Sequence, residues 1–247
     1  WGVATVFGPA FGGIFAEFGS WRGAFWAIVP LAILFCGLVW RHIEHTGKGG
    51  SADRFPFTRL LLFAIGILCV GLTSQTDNNT YRVALIIGAL SMVAYAMMRD
   101  AASSNRMFPK NTLVPNTSVG SSYWFLLLFT FTFIVGVLYV TLYLQVIHDQ
   151  TPIVAAYISA TMSFSWTLGA LLTASWQGRW ITFSVLGGGI LMVLGAVGLA
   201  LFAVDGPVFF IAIALGLMGL GIGTSNNHVI ALAIECAQES EESLVAS

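Results

Sequence analysis

The sequence predicts an all-α protein that crosses a lipid bilayer several times, and three observations support this fold class. Of the 247 residues, 57% are hydrophobic and only 9% are charged, whereas about 25% of the residues in a soluble domain are charged. Four stretches carry no Asp, Glu, Lys or Arg, and each exceeds the roughly 20 residues that a membrane-spanning helix needs: 111–148, 150–178, 180–204 and 206–234. The apolar runs do not alternate with polar residues as barrel strands do, so helices are favoured over a β-barrel.

Turn residues and clusters of charge divide the chain into eight apolar segments. We predict one helix in each of them, near residues 1–18, 23–40, 60–76, 82–98, 122–147, 153–175, 181–203 and 207–234. The first segment is barely long enough to span a bilayer. The chain starts at Trp1 instead of Met and ends soon after an acidic stretch, so we expect further helices of the same chain before and after it.

Lys and Arg are distributed unevenly over the predicted loops. Eight of the ten fall in the loops at 41–59 and 99–121 and after the sixth segment, whereas Arg22 and Arg82 lie on the opposite side. The eight are Arg41, Lys48, Arg54, Arg59, Arg99, Arg106, Lys110 and Arg179. Because short loops rich in Lys and Arg stay in the cytoplasm, the odd-numbered segments are predicted to run outward. The acidic end, from Glu235 to Glu242, is then cytoplasmic, and the protein is expected to be multi-pass in the cell's inner (plasma) membrane.

The first segment combines glycines with a proline. Gly8 and Gly12 are four residues apart and share one helix face, which allows a second helix to approach closely. Pro9 removes a backbone donor, so we expect a bend there. Gly13 adds another small residue. Taken alone, this spacing is common in membrane helices, and a generic packing seam would also explain it.

The wider pattern is more specific. The glycines and proline are followed by a Trp-Arg turn and a later proline, in the order Gly8-Pro9-x-x-Gly12-Gly13, Ser20-Trp21-Arg22, Phe25, Val29-Pro30. This pattern resembles the antiporter motif on the fifth helix of the major facilitator drug:proton antiporters. Segments 60–76 and 82–98 look like the additional central pair of the fourteen-helix branch. Ile28, where that family often has Asn, is a departure from the pattern.

Later residues extend the resemblance along the chain. Gly219-x-Gly221-x-Gly223 is similar to a glycine-rich later helix of the family, and Tyr143-Leu144-Gln145 is similar to its outer turn. The triple glycine at 187–189 lies in an apolar run without a following Lys, so helix packing explains it better than nucleotide binding.

The resemblance implies major facilitator helical bundles, of which the chain would hold about eight of fourteen transmembrane helices, from the fifth to the twelfth. Residues 1–40 would complete the N-terminal bundle, 41–121 would carry cytoplasmic loops and the two central helices, and 122–247 would begin the C-terminal bundle. It also implies a proton-coupled antiporter that exports small amphipathic or drug-like molecules by alternating access. Its partners would be a small-molecule substrate, protons and the lipid bilayer.

Two other functions stay open. An exporter with the same fold could carry an endogenous metabolite, a lipid or a siderophore, because a shared fold does not fix the substrate. A non-transporting membrane protein is the weaker alternative. An enzyme is not expected, since the sequence shows no converging catalytic groups, no nucleotide-binding loop and no metal-ligand spacing. No cofactor and no nucleic-acid partner are predicted.

Ionisable groups inside a bilayer are costly and are therefore candidates for function. Glu17, near the outer end of the first segment, could titrate in a proton path, although an interfacial position in contact with water, where it could pair with Arg22, is favoured. His228 follows Asn226 and Asn227 and could handle protons or substrate, although a structural role near the cytoplasmic end is favoured. One of the two asparagines is expected to face a water-accessible cavity, because adjacent helical residues point in different directions.

The fifth segment offers a face with aromatic rings and hydroxyls. Tyr139 and Tyr143 are four residues apart, and Thr132 lies further back on the same face. The rings could hold a flat lipophilic cation by cation–π contact, or they could form an ordinary packing face. Gln145 is predicted to cap this helix or to gate the outer mouth.

Overall fold

The structure, a computed structural model, describes residues 2–42, 55–103 and 105–236. Lys48 and Arg54, two of the basic residues used to orient the chain, lie outside the described residues. So do residues 237–247, which hold most of the predicted acidic end.

In the described part of the chain, eight α-helices are joined by turns, loops and one 3₁₀ turn, and no strand is present. The helices are α1 (Gly2–Glu17), α2 (Trp21–His42), α3 (Phe57–Leu72), α4 (Asn79–Ala101), α5 (Ser118–Val146), α6 (Pro152–Thr173), α7 (Arg179–Phe202) and α8 (Val208–Cys236). Each coincides with one predicted segment. Seven of them, α2 to α8, are long and apolar enough to cross a membrane when α3 is counted with the 3₁₀ turn that extends it to Gln75. The predicted all-α polytopic membrane fold is confirmed.

Polar caps and glycine mark several helix ends. The side chain of Asn78 accepts a hydrogen bond from the Thr80 N–H (2.9 Å) at the start of α4. Thr117 accepts in the same way from the Gly120 N–H (3.1 Å) at the start of α5. These oxygens satisfy backbone donors that the first helical turn leaves unpaired. Gly19 follows α1 with a φ of +66°, a conformation that favours glycine after a helix end.

α8 is the central helix of the bundle formed by α5 to α8. It packs against α7, α6 and α5, and 50% of its apolar span is buried, compared with 17% for α6 and for α7. A cluster of buried apolar side chains surrounds it, and the largest fully buried members are Leu144, Met162, Ile211, Leu215 and Met218. α8 therefore joins the other three helices into one packed unit.

Glycines let α8 approach α6 and α7 at backbone distance. A Cβ built at Gly219 or Gly223 would overlap the carbonyl oxygen of Met162 or Trp166 on α6. A Cβ at Gly188 on α7 would overlap a serine side chain of α8. Helices in lipid associate through this kind of close packing, because the hydrophobic effect does not drive them together there. The interpretation of the triple glycine as a packing element is confirmed at Gly188.

α3 and α4 form a hairpin that is held at one end by a buried ion pair. The Arg59 guanidinium donates to the Asp100 carboxylate, and both residues are buried. Asp100 also accepts hydrogen bonds from the backbone N–H groups of Met107 (2.8 Å) and Phe108 (3.0 Å). The Phe108 ring packs edge-on against Phe63 of α3, with 5.9 Å between centroids. Asp100 therefore fastens the following loop to the hairpin.

The position of this pair corrects the sequence analysis, which places Arg59 and Asp100 in polar loops. α3 begins at Phe57 and α4 continues to Ala101, so the two residues lie in the first and last turns of helices. Burial is possible there because each charge is hydrogen-bonded. The partners are 41 residues apart, and no local pattern predicts such a pair.

The loop between α4 and α5 is anchored at its other end as well. The indole of Trp124 donates to the Leu113 carbonyl (3.1 Å). Asn111 turns the chain with a φ of +63°, and a Cβ at Gly120 would overlap the Val114 carbonyl. The loop therefore lies directly against the first turn of α5. It forms a fixed connector between the hairpin and the α5–α8 bundle.

Gly188 is expected to tolerate no side chain, whereas its neighbour Gly187 is expected to accept one. Gly188→Val forces a branched side chain into α8, and overpacking of this kind costs about 1–3 kcal/mol. A Cβ at Gly187 meets no atom within 4 Å, so Gly187→Val is the matched control. Thermal unfolding of the full-length protein in detergent is expected to show a lower midpoint for Gly188→Val alone. Equal midpoints would contradict the contact between α7 and α8.

Asp100→Asn is expected to destabilise the protein strongly, because it leaves the buried Arg59 without a charged partner. Removing one member of a buried pair typically costs about 3–5 kcal/mol. The control is Asp77→Asn. The Asp77 carboxylate forms an exposed pair with Arg82 (3.6 Å), so this variant is expected to leave stability unchanged. The unfolding midpoint is the measurement, and a similar loss in both variants would refute the role assigned to Asp100.

Candidate functional site

The segment with the glycines and proline packs against the α5–α8 bundle. α1 contacts α6, and Gly13 is buried at the point of contact. A Cβ at Gly13 would lie 2.8 Å from the Cα of Ile153, so a larger residue would have to push the two helices apart. Gly13 is in the last turns of α1 and Ile153 is in the first turn of α6. The contact therefore lies at the end of both helices that the distribution of Lys and Arg predicts to be outside.

Gly8 and Gly12 lie on a different side of α1. Both are exposed, and a Cβ built at either meets no atom within 4 Å. Together with Phe7 and Phe11 they line an apolar groove of about 630 Å³ between α1 and α2. Within the described residues, the expected close approach of a second helix thus occurs at Gly13, while Gly8 and Gly12 widen the groove.

The charged residues near this contact are exposed. Glu17 is the last residue of α1, and the Arg22 guanidinium lies over the Trp21 ring, 4.4 Å from its centroid. Glu17 is exposed, and within the described residues no ion pair joins it to Arg22; its interfacial role and its place in a proton path stay predictions. Arg22 uses the electron-rich face of the indole instead. Pro9 lies inside α1, and the bend expected there stays a prediction.

Hydroxyl groups bridge α7 and α8 in the buried part of the bundle. Ser184 Oγ donates to the Thr224 carbonyl. Ser225 is fully buried, and its Oγ lies 3.0 Å from the Gly221 carbonyl and 3.2 Å from the Ser184 carbonyl. Hydrogen bonds of this type between membrane helices contribute about 0.6 kcal/mol each on average. Thr224 and Ser225, just before Asn226, therefore contribute to the packing of α8 against α7.

His228 connects α8 to the end of α6. Its Nε2 lies 3.1 Å from the Thr173 carbonyl oxygen, so Nε2 carries a proton and donates it to this bond. Asn226 is half-buried, whereas Asn227 is exposed. The two asparagines thus face different surroundings, as adjacent helical residues must. Their place in a cavity, and that of His228 in a proton path, stay predictions.

The aromatic residues predicted to form one face of α5 are exposed. Tyr139 is 53% exposed and Tyr143 is 38% exposed. Thr132 lies in an apolar groove of about 470 Å³ between α5 and α7. The Gln145 amide donates to the Thr141 carbonyl (3.3 Å) in the last turn of α5. A substrate contact at Tyr139 and Tyr143 and a gating role for Gln145 stay predictions.

A second histidine makes a comparable connection at the opposite end of the bundle. Nε2 of His148, just after α5, lies 2.8 Å from the Ala203 carbonyl oxygen at the end of α7. The sequence gives no signal for this bond, because its partner follows 55 residues later. Each histidine thus joins one helix to the C-terminal end of another, where partial negative charge on the carbonyls favours a donor.

Comparison with protein families decides the membership of the chain. The family model described as Major Facilitator Superfamily matches residues 1–247. The chain belongs to the major facilitator superfamily. Proteins of this superfamily are membrane transporters and not enzymes. No solved structure matches this major facilitator chain.

Curated relatives of this major facilitator chain include efflux proteins from several organisms. A probable multidrug-efflux transporter of Mycobacterium tuberculosis is 30% identical over 263 residues, which cover 100% of this chain and 55% of the relative. An aspyridones efflux protein of Neocamarosporium betae is 25% identical, covering 90% and 43%. A riboflavin transporter of Clostridioides difficile is 22% identical, covering 93% and 51%. The chain spans about half the length of these relatives.

Cysteines placed at Gly13 and Ile153 are expected to form a disulfide. A Cβ at Gly13 lies 3.0 Å from the Ile153 Cβ, and a small shift brings this distance into the range of about 3.5–4.5 Å found in disulfides. The double variant Gly13→Cys/Ile153→Cys is oxidised in a full-length protein without native cysteines, and linked peptides are detected by mass spectrometry. Gly12→Cys/Ile153→Cys is the control and is expected to stay unlinked. Equal cross-linking of both pairs would show that Gly13 is not the contact point.

Proposed function

We propose that the full-length protein is a proton-coupled antiporter of the fourteen-helix drug:proton branch. It exports small amphipathic or drug-like molecules across the plasma membrane by alternating access, in which two helical bundles rock about a central site. In this proposal α1 and α2 complete the N-terminal bundle, and α5 to α8 begin the C-terminal bundle. The observation that carries it is the contact of Gly13 with Ile153, since it joins these two units.

The α1–α6 contact has the properties that a reversible seal needs. It is less extensive than the contact between α6 and α8, so it can open without dismantling the bundle. The missing side chain at Gly13 lets the backbone of α1 approach Ile153 to within van der Waals distance. Close packing of this kind excludes water while the contact is closed. In the proposed orientation this seal closes the outer side.

The substrate is proposed to contact exposed polar and aromatic side chains of α5 and α8. Tyr139 and Tyr143 present rings on which a flat lipophilic cation can stack. Asn227 is exposed on α8, and Asn226 is half-buried beside it. Their amide groups can hydrogen-bond a cargo or the water that accompanies it. The names of the relatives, which include multidrug, aspyridones and riboflavin transporters, support a small-molecule cargo.

Protons are proposed as the coupling ion because of the resemblance to drug:proton antiporters. Within the described residues of α5 to α8, the charged side chains lie near helix ends, at Arg179 and Glu235. His228 is the histidine inside this bundle, and it already donates to Thr173. We therefore assign the principal proton-carrying carboxylates to helices of the full-length protein beyond these 247 residues, with His228 and Glu17 as secondary candidates.

Export of an endogenous metabolite is the second candidate function. The riboflavin transporter and the aspyridones efflux protein among the relatives favour it, because each of these proteins is named for a particular compound and not for drugs in general. The fold and the proposed seal are the same for both candidates, so cargo is the property that separates them.

Transport by the full-length protein in proteoliposomes tests the proposal. With an imposed pH gradient, ethidium is expected to move against its concentration gradient, and its addition is expected to release protons detected by a pH-sensitive dye. Gly13→Leu is expected to slow transport about tenfold or more, because overpacking of about 1–3 kcal/mol opposes closure of the seal. Ile153→Ala in the same protein makes room for the leucine and is expected to restore part of the rate.

The outcomes distinguish the candidates. Movement of riboflavin without movement of ethidium would favour the metabolite exporter. Ethidium transport that is independent of the pH gradient would exclude proton coupling. Full activity of Gly13→Leu would remove the α1–α6 contact from the transport cycle.

A further inference from the structure

We propose that a cavity at the ends of α3 and α4 binds the phosphate group of an anionic phospholipid. The cavity has a volume of about 460 Å³ and lies between the segment that enters α3 and the last turn of α4. Its polar lining includes Thr58, Arg59, Arg99 and Ser103. Both helices are long and apolar enough to span a membrane, so their shared end lies at the boundary between lipid and water.

Charge at this end of the hairpin favours an anion. Arg59 is neutralised by Asp100, which leaves Arg99 as the uncompensated charge in the cavity wall. Arg99 is exposed, lies 5.9 Å from the centroid of the Tyr95 ring, and has no carboxylate partner among the described residues. No Asp or Glu occurs among the described residues that line the cavity. A guanidinium can bind two phosphate oxygens at once, and hydroxyl groups can donate to the others.

A neighbouring cavity reinforces the positive potential. It has a volume of about 410 Å³ and is lined in part by Asp100 and Arg106. Among the described residues, three arginines (Arg59, Arg99 and Arg106) and the carboxylate of Asp100 thus line the two cavities at this end of the hairpin. Each Lys or Arg near an anionic membrane surface contributes about 1 kcal/mol of attraction. The field therefore selects for negatively charged lipid over zwitterionic lipid.

The apolar part of the cavity indicates a lipid as the source of the phosphate. Phe55 is 73% exposed and Phe57 is 66% exposed, and both line the cavity together with Leu62. Exposed phenyl rings at the membrane boundary contact the acyl chains, while the polar wall of the cavity meets the headgroup. A free phosphate ion would contact only the polar wall, whereas a phospholipid contacts both parts of the cavity.

Binding is tested on the full-length protein in nanodiscs, and the readout does not depend on transport. The unfolding midpoint is measured in phosphatidylcholine alone and in phosphatidylcholine mixed with phosphatidylglycerol. The anionic lipid is expected to raise the midpoint of the parent protein. Arg99→Gln is expected to lose most of this rise, whereas Arg99→Lys keeps the charge and retains at least half. Arg179→Gln, a matched loss of charge on the same predicted side but outside the cavity, is expected to lose clearly less of it than Arg99→Gln.

Native mass spectrometry of the parent protein provides a measurement that needs no variant. From an equimolar lipid mixture, retained phosphatidylglycerol is expected to exceed phosphatidylcholine about fivefold, the effect of one cationic side chain. Equal retention of both lipids would overturn the proposal, as would an undiminished midpoint rise in Arg99→Gln. Inorganic phosphate added to phosphatidylcholine nanodiscs is expected to have no effect. If it reproduced the rise, the site would bind a small anion and the lipid assignment would be wrong.

Discussion

Close approach of polypeptide backbones around α8 is the constraint on which the rest of this fold depends. Apolar side chains gain little by leaving lipid, so helices in a bilayer cohere through packing and hydrogen bonds. α8 packs in this way on two sides. Gly219 and Gly223 of α8 have no side chain that would keep the backbone carbonyls of α6 at a distance, and Gly188 of α7 leaves room for side chains of α8. At that separation the hydroxyls of Ser184 and Ser225 reach main-chain carbonyls of the opposite helix. Larger residues at these glycines would push α6 and α7 away from α8.

The hairpin of α3 and α4 coheres by a different interaction. Its end is fixed by the pair of Arg59 and Asp100, and a buried pair repays its desolvation only when the remaining hydrogen-bonding capacity is used. The backbone N–H groups of Met107 and Phe108 supply these bonds to the Asp100 carboxylate, so the loop helps to stabilise the buried charge.

The α1–α6 contact has neither a continuous glycine seam nor an ion pair among the described residues. It is the less extensive of the two contacts that α6 makes with α1 and α8, which fits the reversible seal that we propose.

The positions of the helices could be predicted because the signal is local. Apolar stretches of spanning length and the turns between them place all eight helices, and the triple glycine shows that a packing contact exists near Gly188. The face of α1 that contacts another helix could not be predicted in the same way. Gly8, Gly12 and Gly13 are all small, and only the direction from which α6 arrives makes Gly13 the contact. The pair of Arg59 with Asp100 and the bond of His148 join residues 41 and 55 positions apart, so their formation depends on the tertiary fold.

The connector after α4 determines how the hairpin is attached to the bundle. α3 and α4 pack chiefly against each other, so the loop has to transmit their position. It is bonded to Asp100 at its beginning and to Trp124 of α5 near its end. Asp100 is buried, while the preceding Arg99 is exposed on α4. The charge that fixes the loop and the charge proposed to hold a lipid therefore point to different sides of one helical turn. The loop is hydrogen-bonded to Asp100, whereas the proposed lipid would bind at Arg99. Loss of the lipid would therefore leave the loop in place, whereas loss of the ion pair would release the loop from the hairpin.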